Sequence, residues 1–198
     1  MIKILILWTI INYNAEGVRM NITVYLGANQ GNHNKFKKAV EELGSFIGNS
    51  GNTLVYGGSK TGLMGTLADS ALASKGYVIG VEPQMFINQQ YQHDSLSKLI
   101  ITKDMPERKA KMIELGDAFI AFPGGTGTLE EIAEIMSLVS LNQIDSPCIL
   151  YNLDGYYDGL KELLATMIFY GLSSENRQKN IYFASNLSDI EKILLTLQ

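Results

Sequence analysis

Phe122 to Glu131 reads FPGGTGTLEE and holds the densest set of groups in this chain able to do chemistry. Gly124, Gly125 and Gly127 fall within four positions, and glycine tolerates φ > 0 and lets a ligand approach the backbone closely. Thr126 and Thr128 add hydroxyl donors, and Thr128 is placed to cap a helix. An apolar run precedes the glycines and helical spacing follows them. Strand, turn and helix in that order aim backbone N–H groups at a helix N-terminus, which is an anion site by geometry and by dipole. Glu130 and Glu131 are poor neighbours for a phosphate. A carboxylate one helical turn further on is better used against a sugar than against the phosphate itself. The plain alternative is a tight strand-to-helix turn with a capping acid.

A second cluster is Met105-Pro106-Glu107-Arg108-Lys109. Proline suits a first helical turn, whereas Arg108, Lys109 and Lys111 near a helix N-terminus oppose its dipole. Either this is a solvated charged face, or Arg108 is directed into the anion-binding edge. Two more glycine-rich loops occur, Gly27-Ala28-Asn29-Gln30-Gly31 and Gly57-Gly58-Ser59-Lys60-Thr61-Gly62-Leu63-Met64-Gly65. Neither is GxGxxG, and no Gly-Lys-Ser/Thr occurs, so no fingerprint supports a nicotinamide or ATP site. The second loop fits a sugar or base, with close helix–strand packing as the alternative.

These loops need elements to hold them. Mostly apolar runs predict strands at Ile22–Leu26, Thr53–Tyr56, Tyr77–Val81, Leu99–Thr102, Asp117–Phe122, Cys148–Tyr151 and Ile181–Phe183. Helical spacing predicts helices over Lys35–Ile47, Leu63–Ser74, Met105–Leu115, Thr128–Leu141, Tyr156–Tyr170 and Leu187–Leu197, with Gln84–Ser97 the least regular stretch. Short apolar strands alternating with helices mean a parallel sheet covered on both faces, an α/β, Rossmann-like doubly wound fold. Ligands of such sheets bind beyond the carboxyl ends of the strands. All three glycine-rich loops follow strand ends, so they converge on one edge.

The chain has 198 residues, enough for one domain with a real core, and 46% hydrophobic with 18% charged residues is ordinary for a globular protein. A net charge of −4 and the lack of a Lys/Arg cluster argue against a general nucleic-acid binder. The single cysteine, Cys148, excludes an internal disulfide and reads as a small buried side chain on a strand. His33 and His93 have no Cys or carboxylate partners at ligand spacing, so no metal site is expected and no cofactor is called for. Ile4–Ile11 is apolar but too short to span a bilayer, and no small-x-small cleavage site follows it. Met20 directly precedes the first clean strand. The expectation is therefore an upstream extension over residues 1–19, with an extra element or a secretion signal as alternatives, then one domain over 20–198. A cytoplasmic protein without a membrane partner follows.

The pairing of Met-x-Glu-Arg-Lys (Met105 to Lys109) with Pro-Gly-Gly-x-Gly-Thr-x-x-Glu (Pro123 to Glu131) resembles the LONELY GUY family. These are cytokinin riboside 5′-monophosphate phosphoribohydrolases, once widely mislabelled as lysine decarboxylases. The resemblance covers about residues 21–172, with Gly57-Gly58-Ser59, Gly62-Leu63-Met64-Gly65 and Asp154-Gly155-Tyr156-Tyr157 included. It implies a homodimer or dimer-based assembly, and hydrolysis of the N-glycosidic bond of a nucleoside 5′-monophosphate to free base and ribose 5-phosphate. By position it makes Arg108 and Glu131 the catalytic pair and puts Lys109 in the nucleotide-binding motif. It makes Gly124, Gly125, Thr126, Gly127 and Thr128 the phosphate turn, with Gly58 and Ser59 also against the substrate. Asp94 falls where many members have a substrate-contacting Glu. Two departures bear on base preference: Gly27-Ala28-Asn29 stands where Gly-Ser-Ser is frequent, and Pro106 where His is common.

Breaking a ribosyl C–N bond builds positive charge on the sugar, as glycoside hydrolysis does. Glu131 suits stabilising that charge and orienting or deprotonating water. Arg108 is permanently protonated and a poor general acid, so its part is to hold the nucleotide and stabilise negative charge on the departing base. The competing expectations are a less selective AMP-type nucleosidase and, in a different class, a non-catalytic nucleotide-binding or carrier protein on the same fold.

Overall fold

The computed structural model describes residues 19–196. The proposed extension falls, apart from Arg19, outside the described residues. Seven strands form one all-parallel sheet: β1 (Asn21–Tyr25), β2 (Thr53–Tyr56), β3 (Tyr77–Pro83), β4 (Lys98–Thr102), β5 (Ala118–Ala121), β6 (Cys148–Tyr151) and β7 (Ile181–Ala184). Their order across the sheet is β4-β3-β2-β1-β5-β6-β7. The chain winds outward from β1 to β4, returns to the other side of β1, and winds outward again. The topological switch point therefore lies between β1 and β5, where such sheets open a crevice.

The strands bury both faces, and alternation divides the core into two layers. Ile22, Val24, Leu54 and Tyr56 face α1 (Asn34–Asn49) and α2 (Gly62–Ala73). Tyr25, Val55, Val81, Phe119 and Ala121 face α4 (Met105–Leu115), α5 (Thr126–Ser140) and α6 (Asp158–Phe169), while α7 (Leu187–Leu195) closes the first layer. Thr23 is buried in β1 and donates through Oγ1 to the Met112 carbonyl, 3.2 Å away, so its burial leaves no orphan group. Gly44 and Gly48 sit in the second half of α1 despite their helix penalty because α2 packs closely there. A Cβ on Gly44 would lie 2.5 Å from the Leu67 carbonyl oxygen.

Boundaries differ from expectation at three places that matter for the site. β3 runs past Val81 through Glu82 and Pro83, because β4 pairs with it to the end, Glu82 opposite Ile101. The irregular stretch contains one short helix, α3 (Gln84–Ile87), and an antiparallel bridge between Ser59 and Gln92. α6 starts later than expected because Leu153–Gly155 forms a 3-10 turn with Asp154 at φ +52° and Gly155 at φ +78°.

Candidate functional site

The loops after β1, β2 and β5 meet at the switch point: a Cβ on Gly27 would lie 3.7 Å from Gly124 Cα. With the ends of β3 and α4 they enclose a cavity of about 590 Å³, within the ordinary range for a small-molecule site. Gly125, Thr126, Gly127, Thr128 and Glu131 line one part of it, Arg108 and Met105 another, Leu26, Gly27, Ala28 and Asn29 a third, and Gly57, Ser59, Thr61, Met64, Glu82, Phe86 and Tyr91 the rest.

The glycine turn is built for access. Gly125 is the N-cap of α5, which begins at Thr126 rather than Thr128, and no side chain caps it. The first-turn N–H groups consequently have no side-chain acceptor. None of Gly124, Gly125 and Gly127 takes up positive φ, contrary to expectation. Space is what calls for glycine here: a Cβ at Gly125 or Gly127 meets nothing within 4 Å, whereas one at Gly124 would collide with Thr128 Oγ1. Thr128 is buried and does not cap the helix. Two tyrosines steady the turn from the far side, Tyr157 donating to the Phe122 carbonyl at 2.9 Å and Tyr156 to the Gly124 carbonyl at 2.5 Å.

α4 delivers Arg108. Asp104 caps it by accepting from the Glu107 N–H at 3.0 Å, and the Glu107 carboxylate reaches back to the Lys103 N–H at 2.7 Å, a variant of the capping box. Glu107 is thereby committed to the helix end, and the next residue turns inward. Arg108 is 7% exposed; its Nε donates to the Val81 carbonyl at 3.0 Å and its Nη1 to Glu131 Oε1 at 2.5 Å. Gly57 makes room for it, since a Cβ there would collide with Nη2. Glu131, 8% exposed, is the only one of the two adjacent acids in the cavity; Glu130 instead accepts from Lys109 Nζ at 2.6 Å. Burial raises the Glu131 carboxyl above its ordinary pKa, against the pull of the Arg108 guanidinium. The result is a basic carboxylate held in one orientation.

The structure thus brings together Arg108, Glu131, Ser59, Gly125, Thr126, Gly127 and Thr128. Gly124 lies just behind, lining the two adjoining depressions, and Gly58 (φ +86°) lies over Glu82. Lys109 is turned toward Glu130 and Glu134 on α5. Asp94 does not line the cavity; it is exposed and pairs with Lys60 at 3.5 Å. Folding gives each histidine an acid neighbour, Asp154 for His33 and Asp69 for His93, but no group of three metal-capable side chains forms among the described residues. Sequence reasoning missed Glu82 and the apolar wall of Met64, Phe86, Tyr91 and Met105. The available signal was an acid ending the apolar run Val78-Ile79-Gly80-Val81.

A family model described as "possible lysine decarboxylase" matches residues 64–194. A cytokinin riboside 5′-monophosphate phosphoribohydrolase of Rhodococcoides fascians is 43% identical over 150 residues, 75% of this chain and 76% of the relative. A protein of Arabidopsis thaliana named for the same activity is 34% identical over 173 residues, 87% of this chain and 81% of the relative. Among solved structures, a molybdenum cofactor binding protein from Rippkaea orientalis superposes with a TM-score of 0.68 at 24% identity, covering 91% of this chain and 99% of that one, a likeness of fold. With the motifs, the family model and relatives over most of its length in agreement, the chain belongs to the LONELY GUY family.

Proposed function

We propose that the protein hydrolyses the N-glycosidic bond of a nucleoside 5′-monophosphate, a cytokinin riboside 5′-monophosphate or an AMP-like one, to free base and ribose 5-phosphate. The observation that carries this is the buried Arg108–Glu131 pair facing an uncapped glycine turn across one cavity. A carrier needs the anion-binding turn but has no use for a buried, basic carboxylate beside it. The N–H groups of Gly125 to Thr128 hold the 5′-phosphate. Glu131, one turn further along α5, faces the ribose, stabilises charge growing at C1′ and takes a proton from the attacking water. The water oxygen bonds to C1′ as the C1′–N bond breaks, and its electron pair leaves with the base. Arg108 orients Glu131 and offsets negative charge on the base. The apolar wall of Met64, Phe86, Tyr91 and Met105 suits a planar base and an apolar substituent on it.

Lysine decarboxylation is disfavoured because no lysine lines the cavity among the described residues. No described helix is long and apolar enough to cross a membrane, and a phosphorylated substrate suits a cytoplasmic setting. A homodimer fits as well: Leu129, Leu141, Leu163, Phe169, Tyr170 and Leu172 are large apolar side chains left exposed on or near α5 and α6, and sedimentation equilibrium at micromolar concentration tests it. The function is tested by incubating the protein with AMP and isopentenyladenosine monophosphate and detecting free base. Binding without product across a panel of monophosphates would favour a carrier.

A further inference from the structure

Glu82 is the one acid of the cavity to which no role has been given. It is the last residue but one of β3, is 1% exposed, lines the cavity, and its Oε2 is buried without a hydrogen-bond partner among the described residues. An unpaired buried carboxylate is costly, which favours the neutral acid, a group offering one donor and one acceptor. The charged and titratable groups around it are few. Arg108 on α4 is the nearby cation, Glu131 on α5 lies beyond and is bonded to Arg108, and Tyr56 on β2 is spent donating to the Ser59 carbonyl at 3.2 Å. Burial lifts the Glu82 carboxyl to about 7, with Arg108 opposing.

Its position is set by the sheet. The phosphate turn follows β5 and Glu82 lies near the end of β3, with β1 and β2 between, a separation of about 14 Å at ordinary strand spacing. The Glu82 side chain and the N–H groups of the turn both face into that gap, leaving room for a nucleoside monophosphate laid across the crevice. Arg108 bridges the two sides, bonded to Glu131 and to the carbonyl of Val81, the residue before Glu82. With phosphate on α5 and ribose at Glu131, the base reaches Glu82.

We infer, resting on the hydrolytic reading above, that Glu82 contacts the edge of the leaving base, accepting from the amino group of a 6-aminopurine and donating its proton to the ring nitrogen N7. As C1′–N9 breaks, the bonding pair enters the purine and the Glu82 proton moves to N7, so the base departs neutral. Glu82 is left as a carboxylate beside Arg108. The water proton goes to Glu131, and exchange with solvent returns both acids to their starting states. This supplies the acid that Arg108 cannot be.

The test compares wild type with Glu82→Gln on AMP and on 7-deaza-AMP, which lacks N7, by base release across pH 5.5–9 and by equilibrium binding. In the wild type, kcat/KM on AMP falls above pH about 7 as the acid is lost. In Glu82→Gln that limb disappears and kcat falls about 100-fold, while KM changes little because the amide still hydrogen-bonds. On 7-deaza-AMP the two proteins are equally slow. Wild-type kcat and pH limb in the variant, or an equal loss on both substrates, would overturn the inference; Glu82→Met, an apolar side chain of similar length, serves if the amide misfolds. Should the wild type release no base from any monophosphate, the hydrolytic reading fails separately. Binding then decides: a preference for AMP over 7-deaza-AMP that Glu82→Gln keeps and Glu82→Met loses supports the Glu82 contact, and equal affinities of the wild type for the two nucleotides contradict it.

Discussion

At the scale of single residues, Arg108 and Glu131 form an ion pair whose halves are not interchangeable. Glu131→Gln keeps the shape and an acceptor for Arg108 but removes the base and the compensating charge, so kcat should fall by roughly 10²–10⁴-fold and the melting temperature should drop as well, because the buried guanidinium is left without its counter-charge, as base-release kinetics and calorimetry would show. Arg108→Ala should abolish turnover too, but it strands a buried carboxylate and should cost about 3–5 kcal/mol of stability. Adding Glu131→Gln to Arg108→Ala should recover much of that loss in a urea titration, since no charge is then left unpaired. Additive losses in the double variant would mean that the pair does not act as a unit. These two residues were legible in the sequence because each sits in a dense motif. Glu82 was not. A strand-ending acid looks like an edge residue until β4 is seen pairing alongside it and Gly58 lying on top. The choice between Glu130 and Glu131 also needed the fold, because Lys109 claims one of them across the α4–α5 groove.

At the scale of elements, the glycines divide by purpose. Gly125→Ala meets open space, so folding stability should change by less than about 1 kcal/mol, while the affinity for AMP should drop because the new methyl enters the proposed phosphate site. Gly44→Ala should do the reverse. The methyl collides with the Leu67 carbonyl region of α2, costing about 1–3 kcal/mol, more than alanine's helix preference returns, with AMP binding unaltered in whatever protein stays folded. Isothermal calorimetry beside thermal melts separates the two outcomes. The sequence placed every strand and long helix within a few residues, since parallel strands buried on both faces read as uninterrupted apolar runs. It misjudged where β3 and α5 begin or end. Those limits come from pairing with β4 and from a backbone N-cap, neither of which leaves a local pattern. Asp94 illustrates the same gap: in a stretch without period, position along the chain says little about position in space.

At the scale of the whole molecule, the buried acids couple stability to pH. The Glu82 carboxyl rises in the folded state from an ordinary 4.5 to about 7. Its stabilising contribution is therefore complete below pH about 4.5 and is lost as pH climbs through about 7. The full shift amounts to at most about 3 kcal/mol, and Glu131, also raised, acts in the same direction. Glu82→Gln should consequently melt above the parent protein at pH 8, with the gap closing toward pH 5; a gap independent of pH would mean that the carboxyl does not titrate in this range. The two halves of the sheet, wound outward from β1, present the β5 turn and the β3 end to one crevice. Nothing in either motif alone encodes that meeting. The alternation of strands and helices does, through the right-handed crossovers that fix their order.

The central claim, that this crevice hydrolyses a nucleoside monophosphate, is tested most directly by following AMP and isopentenyladenosine monophosphate with purified protein and with Glu131→Gln. The wild type should release free base and ribose 5-phosphate in equal amounts, and the variant should bind the same nucleotides and release neither. Nucleotide bound but left intact by the wild type, or base released as fast by Glu131→Gln, would contradict it.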